Sequence, residues 1–252
     1  MSPPAIFDAH AHLLPGPGRV AQLLESMHTH GIGRTVVVAG AVPKGEDVSR
    51  LAIEGGGVGA DPYNDVVLDA CEESDGRLIP FFFGNPHREA KTYQEAAHRV
   101  RGLKLGPAVH GVALDDPRHV PFIQVARDFG HPVYLHCLER PGFRVLELID
   151  LAERFPDVTF ILGHGGVGDM DLYGVSLIRP YANISFETSG GYLCVLRAAL
   201  AQLGPERVIF GSEYPFQHPH LELEKYRLLN LPRAVWEDVS WNNISRLIGM
   251  SA

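Results

Sequence analysis

Eight short apolar runs, mostly 20 to 30 residues apart with helix-patterned segments between them, constrain this chain more than any other feature. They are Ile6 to Leu14, Thr35 to Ala39, Leu78 to Phe83, Gly102 to Leu105, Pro132 to His136, Thr159 to His164, Asn183 to Phe186 and Arg207 to Gly211. Their shortness and their β-branched and aromatic content predict strands. Between them, Arg19 to His30 places Val20, Leu23, Leu24 and Met27 on one helical face and stops at Gly31. Asn64 to Glu73, Thr92 to Val100, Val120 to Phe129 and Phe143 to Phe155 repeat that pattern, and further helices fall near 170–180 and 192–203. Strands that are apolar throughout belong to a parallel sheet covered on both faces. Eight such units in 252 residues predict an α/β fold, a (β/α)8 TIM barrel built as a single domain over residues 1–252. An open doubly wound sheet would have fewer strands and a glycine-rich first turn, and no Gly-x-Gly-x-x-Gly follows the first run.

Two segments stand outside the repeat. Residues 41–63, after strand 2, form a long glycine-rich connection containing GGGVGADP, which predicts a mobile surface loop or a lid. Trp236 to Met250 predicts a last helix packed under the barrel, with Asn242 or Asn243 at its start.

The net charge of −8, with Lys and Arg dispersed along the chain, argues against nucleic acid and anionic membranes as partners and leaves a small-molecule substrate. No apolar run approaches the roughly 18 residues that span a bilayer, and the first residues lack the pattern of a signal peptide. Cys71, Cys137 and Cys194 are scattered and odd in number, so a reducing, cytoplasmic setting is expected. The sequence leaves assembly open, with a homodimer as the commonest arrangement for a soluble enzyme.

In such a barrel the chemistry sits at the C-terminal ends of the strands. Those ends carry His10 and His12 on strand 1, Asn85 and His87 on strand 3, Lys104 on strand 4 and His136 on strand 5. His164, Glu187 and Glu213 end strands 6, 7 and 8. Residues i and i+2 of a strand share a face, so His10 and His12 aim two imidazoles at one point, as a divalent metal requires. Histidines elsewhere, His28, His30, His98, His119, His131, His218 and His220, read as ordinary surface or core residues.

The segments FDAHAHLLP, PVYLHCLE, FILGHGG and VIFGSEYPF, in this order at these strand ends, resemble the four signature segments of the amidohydrolase superfamily. The similarity is to its amidohydrolase-related branch, which includes the aminocarboxymuconate-semialdehyde decarboxylase group. The resemblance implies a divalent metal, zinc first with manganese or iron as alternatives, held by His10, His12 and His136. It implies His164 beside the metal or substrate and Glu213 as ligand and base. It also marks a departure, because the family has Asp where this chain has Glu213. Lys104 is then an anchor for a substrate carboxylate or a carbamylated bridge between two metals, the anchor being favoured. Glu187 is a buried partner of a site residue or a capping group, and His87 and Arg140 are further candidates for binding a substrate anion.

Three readings follow. The first is a hydrolase that cleaves an amide, lactone or similar C–N or C–O bond with a metal-activated water, Glu213 taking its proton. The second is a nonoxidative decarboxylase that uses the same strand ends to protonate a carbon of a small unsaturated or aromatic acid. The third is a repurposed barrel whose base at Glu213 is impaired by its extra methylene.

Overall fold

The computed structural model describes residues 5–40, 50–51 and 53–250. The chain starts with β1 (Ile6–Leu13), α1 (Arg19–Thr29) and β2 (Ile32–Ala39), followed by α2 (Asn64–Glu72). The third predicted strand is found as two pieces, β3 (Leu78–Pro80) and β4 (Phe82–Gly84). Then come α3 (Lys91–Ala96), β5 (Leu103–Leu105), the single turn α4 (Pro107–His110), α5 (Val120–Asp128) and β6 (Val133–Leu135). The second half runs α6 (Val145–Arg154), β7 (Phe160–Leu162), α7 (Leu172–Ile178), β8 (Ile184–Glu187), α8 (Leu193–Leu203), β9 (Val208–Ile209) and α9 (Pro219–Leu229). The chain ends in α10 (Arg233–Glu237), a π-helical turn over Asp238–Asn242, and α11 (Asn243–Leu247).

All strand pairs are parallel, in the orders β1-β2-β3 and β4-β5-β6-β7-β8-β9. Backbone hydrogen bonds join the two sheets at both seams. Phe81 N–H donates to the Val37 carbonyl at 3.0 Å and Phe82 N–H to that of Gly102 at 2.9 Å, so β3 and β4 form one barrel strand interrupted at Phe81. On the other side Ala9 N–H donates to Phe210 O at 3.0 Å, Glu213 N–H to His10 O at 2.9 Å and His12 N–H to Tyr214 O at 2.6 Å. The sheet therefore closes into the expected (β/α)8 barrel.

The strand interior is filled by Phe7, Ala9, Val36, Val38, Ile79, Phe81, Tyr134, Ile161 and Ile209, and Ile244 and Ile248 of the C-terminal segment pack onto them. Burying each of the larger side chains contributes about 1.5–3 kcal/mol. Outward-facing Val37, Ala39 and Leu78 pack instead with Leu23, Met27 and Val67 of the covering helices. The last helix predicted over 236–250 is broken into three short pieces, and Asn243 is buried rather than a cap. Its Nδ2 donates to the carbonyls of Pro205 at 2.7 Å and Val208 at 2.9 Å, tying the segment to the start of β9.

One irregularity matters for function. Asp8 pairs with Thr35 but Ala11 pairs with Val37, so β1 carries one residue more than β2 over this stretch, a β-bulge. Phe7 and Ala9 face the barrel interior while Ala11 and Leu13 face the helices. The bulge shifts the alternation, and His10 and His12 turn inward.

Of the 41–63 connection, residues 41–49 lie outside the described residues. The glycine-rich part is packed: Val58 N–H donates to Val109 O at 2.7 Å, and the His110 Nδ1 lies 2.9 Å from Val58 O. A Cβ on Gly57 would stand 2.2 Å from the His110 carbonyl oxygen, so glycine is required for this contact.

Candidate active site

His10, His12 and Glu213 bring their ligand atoms to one point at the C-terminal mouth of the barrel. The two Nε2 atoms are 3.1 Å apart, and the Glu213 carboxylate oxygens lie 3.3 Å from each of them. Ligands about 2.1 Å from one ion are about 3.0 Å apart at right angles and about 3.4 Å apart in a tetrahedron. The Nε2–Nε2 separation matches an edge of such a shell, and the carboxylate sets one oxygen at a similar distance from each imidazole, Oε2 from His10 and Oε1 from His12. Burial holds the His10 imidazole well below its usual range, hence neutral with a lone pair to offer. Burial alone would push the Glu213 carboxyl up, but His164 and the hydrogen bonds from His12 and His164 outweigh it and hold it well below the usual carboxylate range. Two imidazole nitrogens and a carboxylate are a donor set for a borderline or hard divalent ion. The residues present fit the metal that the sequence implies, and the longer side chain of Glu213 does not withdraw its carboxylate from the cluster.

Backbone geometry fixes the acid and its neighbour. Among the described residues, His164 and Glu213 are two of the four non-glycine residues in the left-handed region, both at φ 59°. Such conformations cost about 1–3 kcal/mol and persist where the surroundings enforce them. For Glu213 the enforcement is its N–H bond to His10 O. For His164 it is the N–H bond to Glu187 Oε2 at 3.0 Å, beside a run of glycines, Gly165 and Gly166, also at positive φ. His164 Nδ1 then lies 2.7 Å from Glu213 Oε2 and its Nε2 lies 3.4 Å from Lys104 Nζ.

Lys104 is only 2% exposed. Burial lowers its ammonium pKa to about 8, against the pull of Glu213 and Glu187, and its Nζ stands 4.1 Å from the centre of the Tyr134 ring. His136 stands apart from the His10, His12 and Glu213 group. Its Nε2 accepts a hydrogen bond from Ala108 N–H at 3.2 Å, and its ring centre is 6.0 Å from that of His164. Burial, with Lys104 and His164 near, keeps it neutral. His87 is exposed, with Nε2 2.7 Å from the His110 carbonyl and Nδ1 3.4 Å from the Arg118 guanidinium. Arg140 donates to Leu51 O at 3.3 Å and lies 4.0 Å over Phe143. Both brace loops.

Three residues beneath the cluster were not singled out as catalytic candidates. Asp8 accepts from His10 N–H at 3.1 Å and Ser212 N–H at 2.8 Å, and also from the Ser212 hydroxyl, so it stitches β1 to the segment bearing Glu213. Glu187 is a fully buried partner, not a cap: it accepts from the Tyr134 hydroxyl at 2.6 Å, His164 N–H, and Ser189 N–H at 2.6 Å and Oγ at 2.9 Å. Tyr134 stacks on His10 with ring centres 4.2 Å apart. The signal for Tyr134 was present, since it lies two residues before His136 on the same strand face.

The strand ends of this closed parallel barrel converge two histidines and a carboxylate into a group that could hold a divalent metal. The amidohydrolase family model matches residues 7–250, and the chain belongs to that family. Among solved structures, it is similar to 2,6-dihydroxybenzoate decarboxylase from Rhizobium, with TM-score 0.73 and 18% identity over 97% of this chain and 98% of that one. A candidate 2-pyrone-4,6-dicarboxylic acid hydrolase from Pseudomonas putida gives TM-score 0.74 and 18% identity over 98% of both chains. The 5-carboxyvanillate decarboxylase of Novosphingobium aromaticivorans, crystallised with manganese and 4-hydroxy-3-methoxy-5-nitrobenzoic acid, gives 0.73 and 14% over 98% and 96%. At these identities the likeness establishes the fold. A search of curated protein sequences returned no match. No helix among the described residues is long and apolar enough to cross a membrane.

Proposed function

We propose that the protein is a metal-dependent nonoxidative decarboxylase acting on a small aromatic or unsaturated carboxylic acid. The observation that carries this reading is the buried cation Lys104 set 3.4 Å from His164, which in turn contacts Glu213. A buried ammonium is costly unless it meets an anion, and a substrate carboxylate brought to this point satisfies it. His10, His12 and Glu213 would hold a divalent ion, zinc, manganese or iron, which would supply positive charge to an anionic substrate. Lys104 holds the acid in register, and the His164–Glu213 pair stores and delivers one proton. That proton goes to the carbon bearing the carboxylate; the bond between the two carbons then breaks, its electron pair stays with the ring or alkene, and carbon dioxide leaves. This reading is supported by the similar structures, most of them decarboxylases, three of which hold manganese.

A second reading is hydrolysis, favoured by one observation: the Glu213 carboxylate stands at the mouth of the barrel 2.7 Å from His164 Nδ1, where it can take a proton from an attacking water. His164 then polarises the carbonyl, and a lactone or amide bond opens. The discriminating assay loads the full chain with manganese or zinc and supplies 2,6-dihydroxybenzoate, 5-carboxyvanillate and 2-pyrone-4,6-dicarboxylate. Release of carbon dioxide from an aromatic acid is the expected result. Ring opening of the pyrone without carbon dioxide would replace the decarboxylase with the hydrolase.

A further inference from the structure

Metal-bound histidines ordinarily donate their second ring N–H to a carboxylate or carbonyl, which fixes the plane of the ring. His10 and His12 lack this support: both Nδ1 atoms are buried and have no hydrogen-bond partner among the described residues. Each imidazole instead packs against an aromatic ring. His10 lies face to face on Tyr134, with ring centres 4.2 Å apart and planes 15° from parallel. His12 meets Phe216 edge-on, at 5.2 Å and 73°. Tyr134 is itself pinned, fully buried, with its hydroxyl 2.6 Å from Glu187. Phe216 is 51% exposed, so its ring meets His12 from the solvent side.

We propose that Tyr134 and Phe216 are positioning residues that hold His10 and His12 in ligating orientation by ring packing, in place of the usual hydrogen-bonded second layer. The inference rests on the reading of the cluster as a metal centre. Ring packing restricts rotation about the bond between Cβ and the imidazole, which is the freedom a second-layer hydrogen bond normally removes. It does so without a hydrogen bond to either Nδ1. Because the effect acts through the face of Tyr134 and not through its hydroxyl, the two parts of that side chain can be separated by mutation.

Zinc affinity, measured on the full chain by competition with a chromophoric chelator, reads the proposal without any substrate. Tyr134→Phe keeps the stacked ring and is expected to hold zinc within about 3-fold of the natural protein. Tyr134→Leu and Phe216→Leu are expected to weaken it about 10-fold or more, the usual effect of losing a ligand's support, and Phe216→Tyr to restore it. Phe216 is half exposed, so its variants report even where a buried Tyr134→Leu protein fails to fold. Tight zinc binding that Phe216→Leu does not change would overturn the inference and leave the metal centre standing. Equal weakening by Tyr134→Phe and Tyr134→Leu would also overturn it, assigning the role to the Glu187 bond. No zinc bound by the natural protein would overturn the centre and the inference together.

Discussion

Replacing Glu187 by Gln tests whether the site stands on this carboxylate. Its oxygens accept four hydrogen bonds in a place without solvent: from Tyr134 Oη, His164 N and Ser189 Oγ to Oε2, and from Ser189 N to Oε1. A Gln side chain offers one oxygen. With that oxygen at the Oε2 position three bonds survive as neutral ones, each weaker by about 1 kcal/mol than its charge-assisted counterpart. The amide nitrogen then faces Ser189 N–H, donor against donor, and an unpaired buried N–H costs about 1–3 kcal/mol. Removing a buried charge returns a few kcal/mol of desolvation. The net loss is about 2–4 kcal/mol, well inside the stability of a typical domain, so the variant folds. Urea titration at pH 7 followed by the fluorescence of Trp236 and Trp241 measures it. A loss under about 1 kcal/mol would refute the four-donor account, because it would mean that the carboxylate is not the acceptor on which His164 and Tyr134 depend.

Two further perturbations act through other residues. Gly163→Ala would place a Cβ 2.2 Å from the Tyr134 hydroxyl, so it is expected to displace that ring and weaken zinc binding several-fold; unchanged affinity in chelator competition would count against the packing. Burial, with Arg101 and His98 adjacent, pushes the His131 imidazole down to about 4, and its Nδ1 lies 2.8 Å from the Tyr93 hydroxyl. The unfolded imidazole titrates near 6.5, so the unfolded state takes up its proton first: the contribution is complete above about pH 6.5 and is lost as pH falls towards 4. That predicts about 2 kcal/mol less stability at pH 5 than at pH 7, and a shallower decline in His131→Gln when urea midpoints are compared at the two pH values.

The strand order and the residues at the strand ends were legible because both depend on short-range patterns: an apolar run announces a strand, and the polar residue that ends it marks the mouth. The contacts between those residues were not. Whether His136 stands in the cluster depends on Ala108 N–H, 28 residues away, and on the turn that carries it. Glu187 could be read as a cap or a buried partner until Tyr134, 53 residues earlier, was seen to reach it. The interruption at Phe81 follows Pro80, which has no N–H to give the ladder, so LIPFFF held the signal although it is apolar from end to end; the Phe81 ring lies where a Cβ on Gly102 would be, 2.4 Å away. GGGVG read as a loop because glycine suits loops. In this chain it also permits a close approach, Gly57 against the His110 carbonyl.

The irregular positions explain why an Asp-to-Glu change relative to the family pattern is compatible with the site. In a regular strand a carboxylate's reach is set by side-chain length, and one methylene would carry it past its partners. Glu213 is not in a regular strand: its backbone sits at φ 59° and its N–H is tied to His10 O, so backbone direction and side-chain length together place the oxygens. The bulge in β1 acts in the same way for His10, and the left-handed turn at His164 does so for its ring. Each departure costs something locally and is offset by a buried bond: Asp8 to Ser212, Glu213 N–H to His10 O, and His164 N–H to Glu187. Removing any of those bonds should therefore cost more at the site than in the fold, because the regular part of the barrel closes through other backbone pairs, including Ala9 N–H to Phe210 O and Phe82 N–H to Gly102 O.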